Sequence, residues 1–200
     1  NTAVLMPYVL IEQGRQNYVR AYFSTIENGL KNSVANGAYN VSKHSTIQNG
    51  SGNSVYGSYI SLENGIGNNL QGKYGFLGSG KNNRSYIQSD GLTFTLKNYL
   101  FIGNGLKNKL FGGDFATIIN GKINKVYGVN SVIVGGSGNT INFVSSTAPF
   151  NSPSYYSSIV NGVFNAINAD YSQILNGVSN NIFNNTNPLV NTYSYFSTII

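Results

Sequence analysis

The fold is decided by a repeat whose copy at residues 24–34 reads Ser24-Thr25-Ile26-Glu27-Asn28-Gly29-Leu30-Lys31-Asn32-Ser33-Val34. With its isoleucine as an anchor, aliphatic residues recur in the same frame at intervals of 15 or 16 residues, with four longer intervals of 21, 25, 26 and 25. Such self-similarity is typical of solenoid proteins. The anchors are Ile11, Ile26, Ile47, Leu62, Leu77, Ile102, Ile118, Ile133, Ile159, Ile174 and Ile199.

Two further positions of the repeat do not vary in the first ten copies. Three residues after the anchor stands a glycine: Gly14, Gly29, Gly50, Gly65, Gly80, Gly105, Gly121, Gly136, Gly162 and Gly177. Six residues after the anchor stands an asparagine: Asn17, Asn32, Asn53, Asn68, Asn83, Asn108, Asn124, Asn139, Asn165 and Asn180. The position eight residues after the anchor is Val, Leu or Ile in nine of ten copies, with Ser85 as the exception.

A coil of two short strands and two bends accounts for this pattern. Fifteen residues are too few for a strand–helix–strand unit, and the many Gly and Asn residues disfavour helix interiors. The Asn-Gly pair marks a bend with positive φ. Alternation within strands points three side chains inward, as in a small Ser172, Ile174 and Ile182. The sequence therefore predicts an all-β, parallel β-solenoid of about ten 15-residue coils, in one domain spanning residues 1–200 and without helices.

The asparagine column has two interpretations. Stacked coils bring equivalent residues to about 4.8 Å from one another, so the side chains can form a hydrogen-bonded ladder along the stack. Without partners, each buried amide would cost about 1–3 kcal/mol. The alternative is a groove in which the asparagines contact a ligand. We favour the structural ladder, with the glycines as turn residues.

A third column, three residues before the anchor, is aromatic in nine of eleven copies: Tyr8, Phe23, Tyr59, Tyr74, Tyr99, Phe115, Tyr156, Tyr171 and Phe196. It fits a stack that fills a corner, an interface between chains or a sugar-binding stripe. His44 and Asn130 occupy the same column, so the single histidine is interpreted as a substitute for an aromatic ring.

The period is interrupted by four extensions, at residues 35–43, 86–98, 142–155 and 183–195. Insertions in solenoids gather on one face and often bind partners, and mixtures of Tyr, Asn and Ser suit recognition loops. The extensions fit recognition loops and strand or interface extensions equally well. Their candidate recognition or interface residues are Tyr86, Phe94, Phe150, Tyr155 and Tyr193.

Charge and composition limit the possible functions. The net charge is +6, and all twelve Lys and Arg residues lie between Arg15 and Lys125; we interpret them as solvent-facing turn residues and predict no nucleic-acid partner. The six acids are scattered, whereas polysaccharide cleavage needs clustered acids. We predict no enzymatic activity, no catalytic or metal site and no cofactor. The lack of an 18-residue apolar run predicts no membrane insertion.

Two stretches carry a family resemblance: residues 131–141, reading SVIVGGSGNTI, and residues 171–177, reading YSQILNG. They resemble repeats of trimeric autotransporter adhesin heads and are similar to the YSxIxGGxxNxI repeats of phage and large-virus fibre proteins. The resemblance implies a left-handed parallel β-roll, a homotrimer and a location outside the cell, on a virion or bacterial surface.

The function expected from these features is a structural and adhesive fibre segment that acts in host attachment. Its partners would be other copies of the chain and a cell-surface glycan or protein receptor. A subunit of a self-assembling extracellular filament or sheath is the alternative, since exposed strand edges template pairing; a polysaccharide-active β-helix enzyme ranks third. The chain lacks an initial Met and stops within a repeat, so we expect it to be part of a longer polypeptide.

Overall fold

The computed structural model describes residues 2–3, 8–35, 43–86, 99–111, 114–141, 143–144, 152–153, 156–183 and 197–200. Over these ranges the regular elements are strands, with no helix. Twenty-two of the strands form two parallel sheets of eleven strands each. The predicted all-β class and parallel repeat architecture are confirmed.

The first sheet, named here the anchor sheet, contains the anchor residues. Its strands are β2 (Leu10–Ile11), β4 (Thr25–Ile26), β6 (Thr46–Ile47), β8 (Ile60–Leu62), β10 (Gly75–Leu77), β12 (Leu100–Ile102), β14 (Thr117–Ile118), β16 (Val132–Val134), β20 (Ser158–Val160), β22 (Gln173–Ile174) and β24 (Thr198–Ile199). Each anchor is the register partner of the next, from Ile11 opposite Ile26 to Ile174 opposite Ile199. The extensions therefore do not shift the register of the sheet.

The second sheet contains the aliphatic residues that lie eight positions after the anchors. Its strands are β1 (Thr2–Ala3), β3 (Tyr18–Arg20), β5 (Ser33–Ala35), β7 (Ser54–Gly57), β9 (Asn69–Gly72), β11 (Arg84–Tyr86), β13 (Lys109–Phe111), β15 (Lys125–Val126), β17 (Thr140–Ile141), β21 (Ala166–Asn168) and β23 (Asn181–Phe183). Anchors from Ile26 to Ile174 and aliphatics from Val19 to Ile182 are buried and pack against one another between the sheets.

A third row of pairing joins the coils between the two sheets. Single residues four positions after the anchor form parallel bridges from Arg15 through Leu30 to Val178. The prediction of two strands per coil missed this row. It arises because a glycine with positive φ precedes the bridging residue, and a residue with φ of 56–66° follows it in most copies. Only the single bridging residue between the two bends is extended, and a strand of one residue has no alternation that a sequence pattern could reveal.

The inward position two residues before the anchor departs from the predicted small serine. Serine is buried there in five described copies, but Ile60 and Leu100 are also buried. Both are register partners of Gly75, which lies between them. A Cβ atom at Gly75 would already be in van der Waals contact with Ile60, at 3.5 Å, so the larger side chains of its two neighbours fill the space that a longer side chain at this position would need.

The described parts of the extensions include strand residues. Ala35, Tyr86 and Phe183 end strands β5, β11 and β23. In the third extension, β18 (Phe143–Val144) and β19 (Ser152–Pro153) pair antiparallel. The first, second and fourth extensions therefore begin by continuing the second sheet, and the third contains a short antiparallel ribbon.

Candidate functional site

The asparagine column lies inside the stack. Asn124 donates its backbone N–H to Asn108 Oδ1 at 3.0 Å and accepts the backbone N–H of Asn139 on its own Oδ1 at 3.0 Å. Its Nδ2 donates to the carbonyl of Gly136 at 3.2 Å. Oδ1-to-N–H bonds of 2.9–3.1 Å link each asparagine to the next from Asn17 to Asn180.

These bonds assign the asparagines to the interior of the protein. The members from Asn17 to Asn165 are at most 1% exposed, and each amide both accepts and donates a bond across the coil boundary. The column therefore offers a ligand no open groove, which favours the structural interpretation over the ligand-binding one.

The glycine column supplies the carbonyl groups that accept the side-chain N–H bonds of the asparagine ladder. Its members have φ between +77° and +133°, far from the value of about +57° at which other residues enter the left-handed region. In nine of the ten copies, a Cβ atom would overlap the carbonyl oxygen of the glycine in the next coil. That carbonyl accepts the asparagine Nδ2, as in the 3.0 Å bond from Asn68 to Gly80, so the two columns form one unit.

A second buried polar ladder was not predicted from the sequence. Ser157 donates its hydroxyl to the carbonyl of Ala169 at 2.7 Å and its backbone N–H to Ser131 Oγ at 3.3 Å. Ser172 continues this ladder with its own N–H at 3.5 Å from Ser157 Oγ. The recurrence of serine was the available signal, but it was interpreted only as small size.

The aromatic column forms a ladder of rings along an exposed corner. Seven rings from Tyr8 to Phe115, including His44, stack at centroid distances of 4.7–5.2 Å. Asn130 interrupts the ladder before Tyr156 and Tyr171 stack at 5.2 Å. The rings are half-buried to exposed, with Phe115 at 51%.

The ring ladder favours an edge contact over sugar stacking. Neighbouring rings occupy the faces of each interior member, so mainly ring edges and the hydroxyls of Tyr59 and Tyr99 remain open. Most members have φ of 50–59°, which is unusual for bulky residues. Since stacked pairs contribute about 0.5–1.5 kcal/mol each, the ladder offsets this strain.

Truncation of Tyr99 separates stacking from strain. Tyr99 stacks on Tyr74 at 4.9 Å and on Phe115 at 4.7 Å, and its φ is 58°. We expect Tyr99→Ala to lower the free energy of unfolding by about 1–3 kcal/mol. Tyr99→Gly should be less destabilising by about 1 kcal/mol, because glycine adopts this φ without strain. Urea titration of both variants measures the difference in the free energy of unfolding. An Ala variant as stable as the Gly variant would show that the backbone at position 99 is not strained.

The outer face of the anchor sheet changes character along the stack. One residue after the anchor, the early coils carry Glu12, Glu27, Gln48 and Glu63, and the later coils carry Ile119, Val134, Val160 and Leu175. We name the later four the apolar stripe. Its members are half-buried to exposed, with Ile119 at 38%. Because contiguous exposed apolar patches often mark contact sites, the stripe is a candidate interaction surface.

Between the two halves the same face is aromatic. Phe76 and Phe101 stack with centroids 5.3 Å apart. A Cβ atom at Gly78 or Gly103 would lie 3.4 Å from the ring of Phe76 or Phe101 respectively. Each ring therefore lies beside the glycine that follows its own strand and continues the apolar surface toward the stripe.

Basic residues gather on three consecutive coils. Arg84, Lys109 and Lys125 are register partners in β11, β13 and β15, so the interpretation of the basic residues as turn residues is wrong for these three. Lys81 and Lys122 lie in the third row, with Leu106 between them. Lys107 follows Leu106 and is exposed. We name Lys81, Arg84, Lys107, Lys109, Lys122 and Lys125 the basic cluster.

Two stacked rings border the basic cluster. Phe111 and Tyr127 lie 4.4 Å apart with planes 3° from parallel, and Lys109 Nζ is 5.9 Å from the centroid of Phe111. Burial raises the pKa of Tyr127 above its ordinary value of 10.0, because desolvation disfavours the phenolate. Its hydroxyl is therefore neutral at physiological pH and adds no negative charge.

Of the predicted recognition residues, Tyr86 ends β11 as the register partner of Phe111, so its backbone lies beside the basic cluster. Phe94, Phe150, Tyr155 and Tyr193 lie outside the described residues. Over the described ranges, no three His, Cys, Asp or Glu residues come close enough to hold a metal ion. In the same ranges no helix is long and apolar enough to span a membrane.

No protein-family model matches the chain, and a search of curated proteins finds no match.

Proposed function

We propose that the chain is a structural and adhesive fibre segment on the outside of a virion or bacterial cell, a stiff shaft or head that presents its extensions for host attachment. The observation that carries this proposal is the unbroken ladder of asparagine bonds from Asn17 to Asn180. Together with two continuous sheets, it bonds each coil to its neighbours at several points of the cross-section. Such repetitive stacking gives a stiff, extended array.

The proposed assembled form is a homotrimer of left-handed β-rolls, as the family resemblance implies. The apolar stripe supports a side-by-side contact, because an exposed apolar row gains stability when another chain covers it. The ring ladder is a second surface that runs along the coil axis, as the apolar stripe does. The exposed edges of its rings suit contact with a neighbouring chain.

An extracellular filament or sheath subunit is the second candidate. The apolar stripe favours it too, since a flat apolar face can join chains without closing a ring. Sedimentation equilibrium of the purified chain separates the candidates. We expect a discrete species of three chains over a hundredfold concentration range. Masses that grow with concentration would support the filament, and a monomer at all concentrations would overturn both forms of assembly.

A single charge in the apolar stripe tests whether it is the contact. We expect Val160→Lys to shift the assembled chain toward monomer, because an unpaired charge buried in an interface costs several kcal/mol. Gln48→Lys is the matched control: it occupies the same position of an early coil, adds the same charge and is also half-buried. Equal masses for the two variants, with both folded by circular dichroism, would exclude the stripe as the contact.

A further inference from the structure

The basic cluster holds most of the net charge of the chain. Residues 77–127 contain seven basic residues and two acids, Asp90 and Asp114, and so carry +5 of the total of +6. Residues 126–200 contain no Lys or Arg. The charge is therefore concentrated on a few coils. Solubility alone does not explain this concentration, because evenly distributed charges would keep the whole surface soluble.

The fold places these charges in rows. Arg84, Lys109 and Lys125 occupy one outward column of the second sheet, with successive strands about 4.8 Å apart. Like charges directly opposite one another destabilise a sheet. Lys81 and Lys122 belong to a second row, which runs parallel to the first on the other side of the buried asparagine column. An extended polyanion that runs along the stack would meet a cation on coil after coil.

The chemistry of the cluster favours an acidic polysaccharide over a nucleic acid. Single-stranded nucleic acids bind where a basic groove is combined with free aromatic faces for the bases. Here Phe111 and Tyr127 cover one another at 4.4 Å, so no base can enter between them. Five of the six cations are lysines, which act as point charges and suit ionic contact with carboxylate or phosphate groups alike, so the choice between the two polyanions rests on the covered ring faces.

The dimensions also suit a glycan. The cluster lies on one strand face and on the neighbouring row of single bridges, and a pyranose ring is about as long as one strand spacing. A uronic acid polymer that lies along the stack can therefore present its carboxylates in step with the columns. Phe111, over whose ring Lys109 lies, adds an apolar edge against which a sugar ring can pack.

We propose that the basic cluster is a binding site for an acidic, uronate-type polysaccharide laid parallel to the coil axis. The site extends the adhesive role proposed above by naming the class of receptor, and in that respect rests on it. Because the contacts are mainly ionic, binding weakens steeply as salt rises.

Biolayer interferometry with the whole chain tests the site, with polygalacturonate, neutral dextran and poly-dT as probes at 50 and 200 mM salt. We expect polygalacturonate to bind most tightly and dextran not to bind. The double variant Lys109→Gln/Lys125→Gln should lose about tenfold in affinity and show a shallower salt dependence, by about one per contact removed. Lys31→Gln/Lys43→Gln removes the same charge from exposed positions in early coils and should leave binding unchanged.

Several results would overturn the proposal. These are no binding of polygalacturonate at 50 mM salt, binding of poly-dT as tight as that of polygalacturonate, and equal losses in the two double variants. Sedimentation of the same samples distinguishes the two proposals. A trimer that does not bind polygalacturonate refutes only the glycan site, whereas a monomer that binds it refutes only the assembled fibre.

Discussion

Replacing Gly80 by alanine should unfold or split the stack, with an expected loss of about 4 kcal/mol or more in the free energy of unfolding. Gly80 has φ of +133°, which an L side chain rarely adopts. Its Cβ atom would overlap the carbonyl oxygen of Gly105 and lie 2.6 Å from Asn83 Nδ2 and 2.9 Å from the backbone nitrogen of Gly105. Backbone atoms cannot move aside without breaking the bridges on both sides of the coil.

The matched control is Gly52→Ala. Gly52 also has positive φ, at +66°, but a Cβ atom there would meet nothing within 4 Å. This variant should lose only about 1 kcal/mol through backbone strain. Urea titrations monitored by circular dichroism measure both changes. Similar losses in the two variants would show that conformational strain, and not the close approach of neighbouring coils, requires the glycine column.

The parts of the fold predicted from the sequence are those that repeat inside the coil. Each of the first ten copies places an aliphatic at the anchor and a glycine three residues later, because each coil faces similar coils above and below. One unbroken register from Ile11 to Ile199 follows from that identity. The register of the described strands is the same on either side of residues 36–42 and 87–98, where Ile26 pairs with Ile47 and Leu77 with Ile102.

The surface features could not be predicted in the same way. Arg84, Lys109 and Lys125 are 25 and 16 residues apart in the chain, and only the stacking of coils makes them neighbours. The same holds for Val134 and Val160, which are register partners. Outward positions vary from coil to coil, so they look irregular along the chain. A comparison down each outward column of the repeat would have found both surfaces.

The two surfaces also explain how one repeat can have several uses. Inward positions are restricted by packing and by the hydrogen bonds of buried polar groups, and outward positions are free to change. The early coils have an acidic outer face at Glu12 and Glu27, and the later coils have an apolar one at Val160 and Leu175. Binding properties can thus be distributed along a rod whose interior stays the same.

Replacing Asn124 by alanine tests the asparagine ladder directly. The variant leaves the buried backbone N–H of Asn139 without its 3.0 Å acceptor and removes the donor to Gly136. An unsatisfied buried N–H costs about 1–3 kcal/mol and a lost hydrogen bond about 1 kcal/mol. We therefore expect a loss of about 2–4 kcal/mol and a fall in melting temperature on the order of 10 °C.

Asn120→Ala provides the control for this change. Asn120 is exposed and lies four residues before Asn124 in the same coil; it accepts the Asn124 side chain only on its main-chain carbonyl, at 3.3 Å. The control therefore removes the same amide from the same bend but leaves the ladder intact, and its melting temperature should stay within about 2 °C of the parent. If Asn124→Ala melts at the temperature of the control, the amide ladder does not hold the coils together, and the stiffness attributed to the fibre would have to come from the two sheets alone.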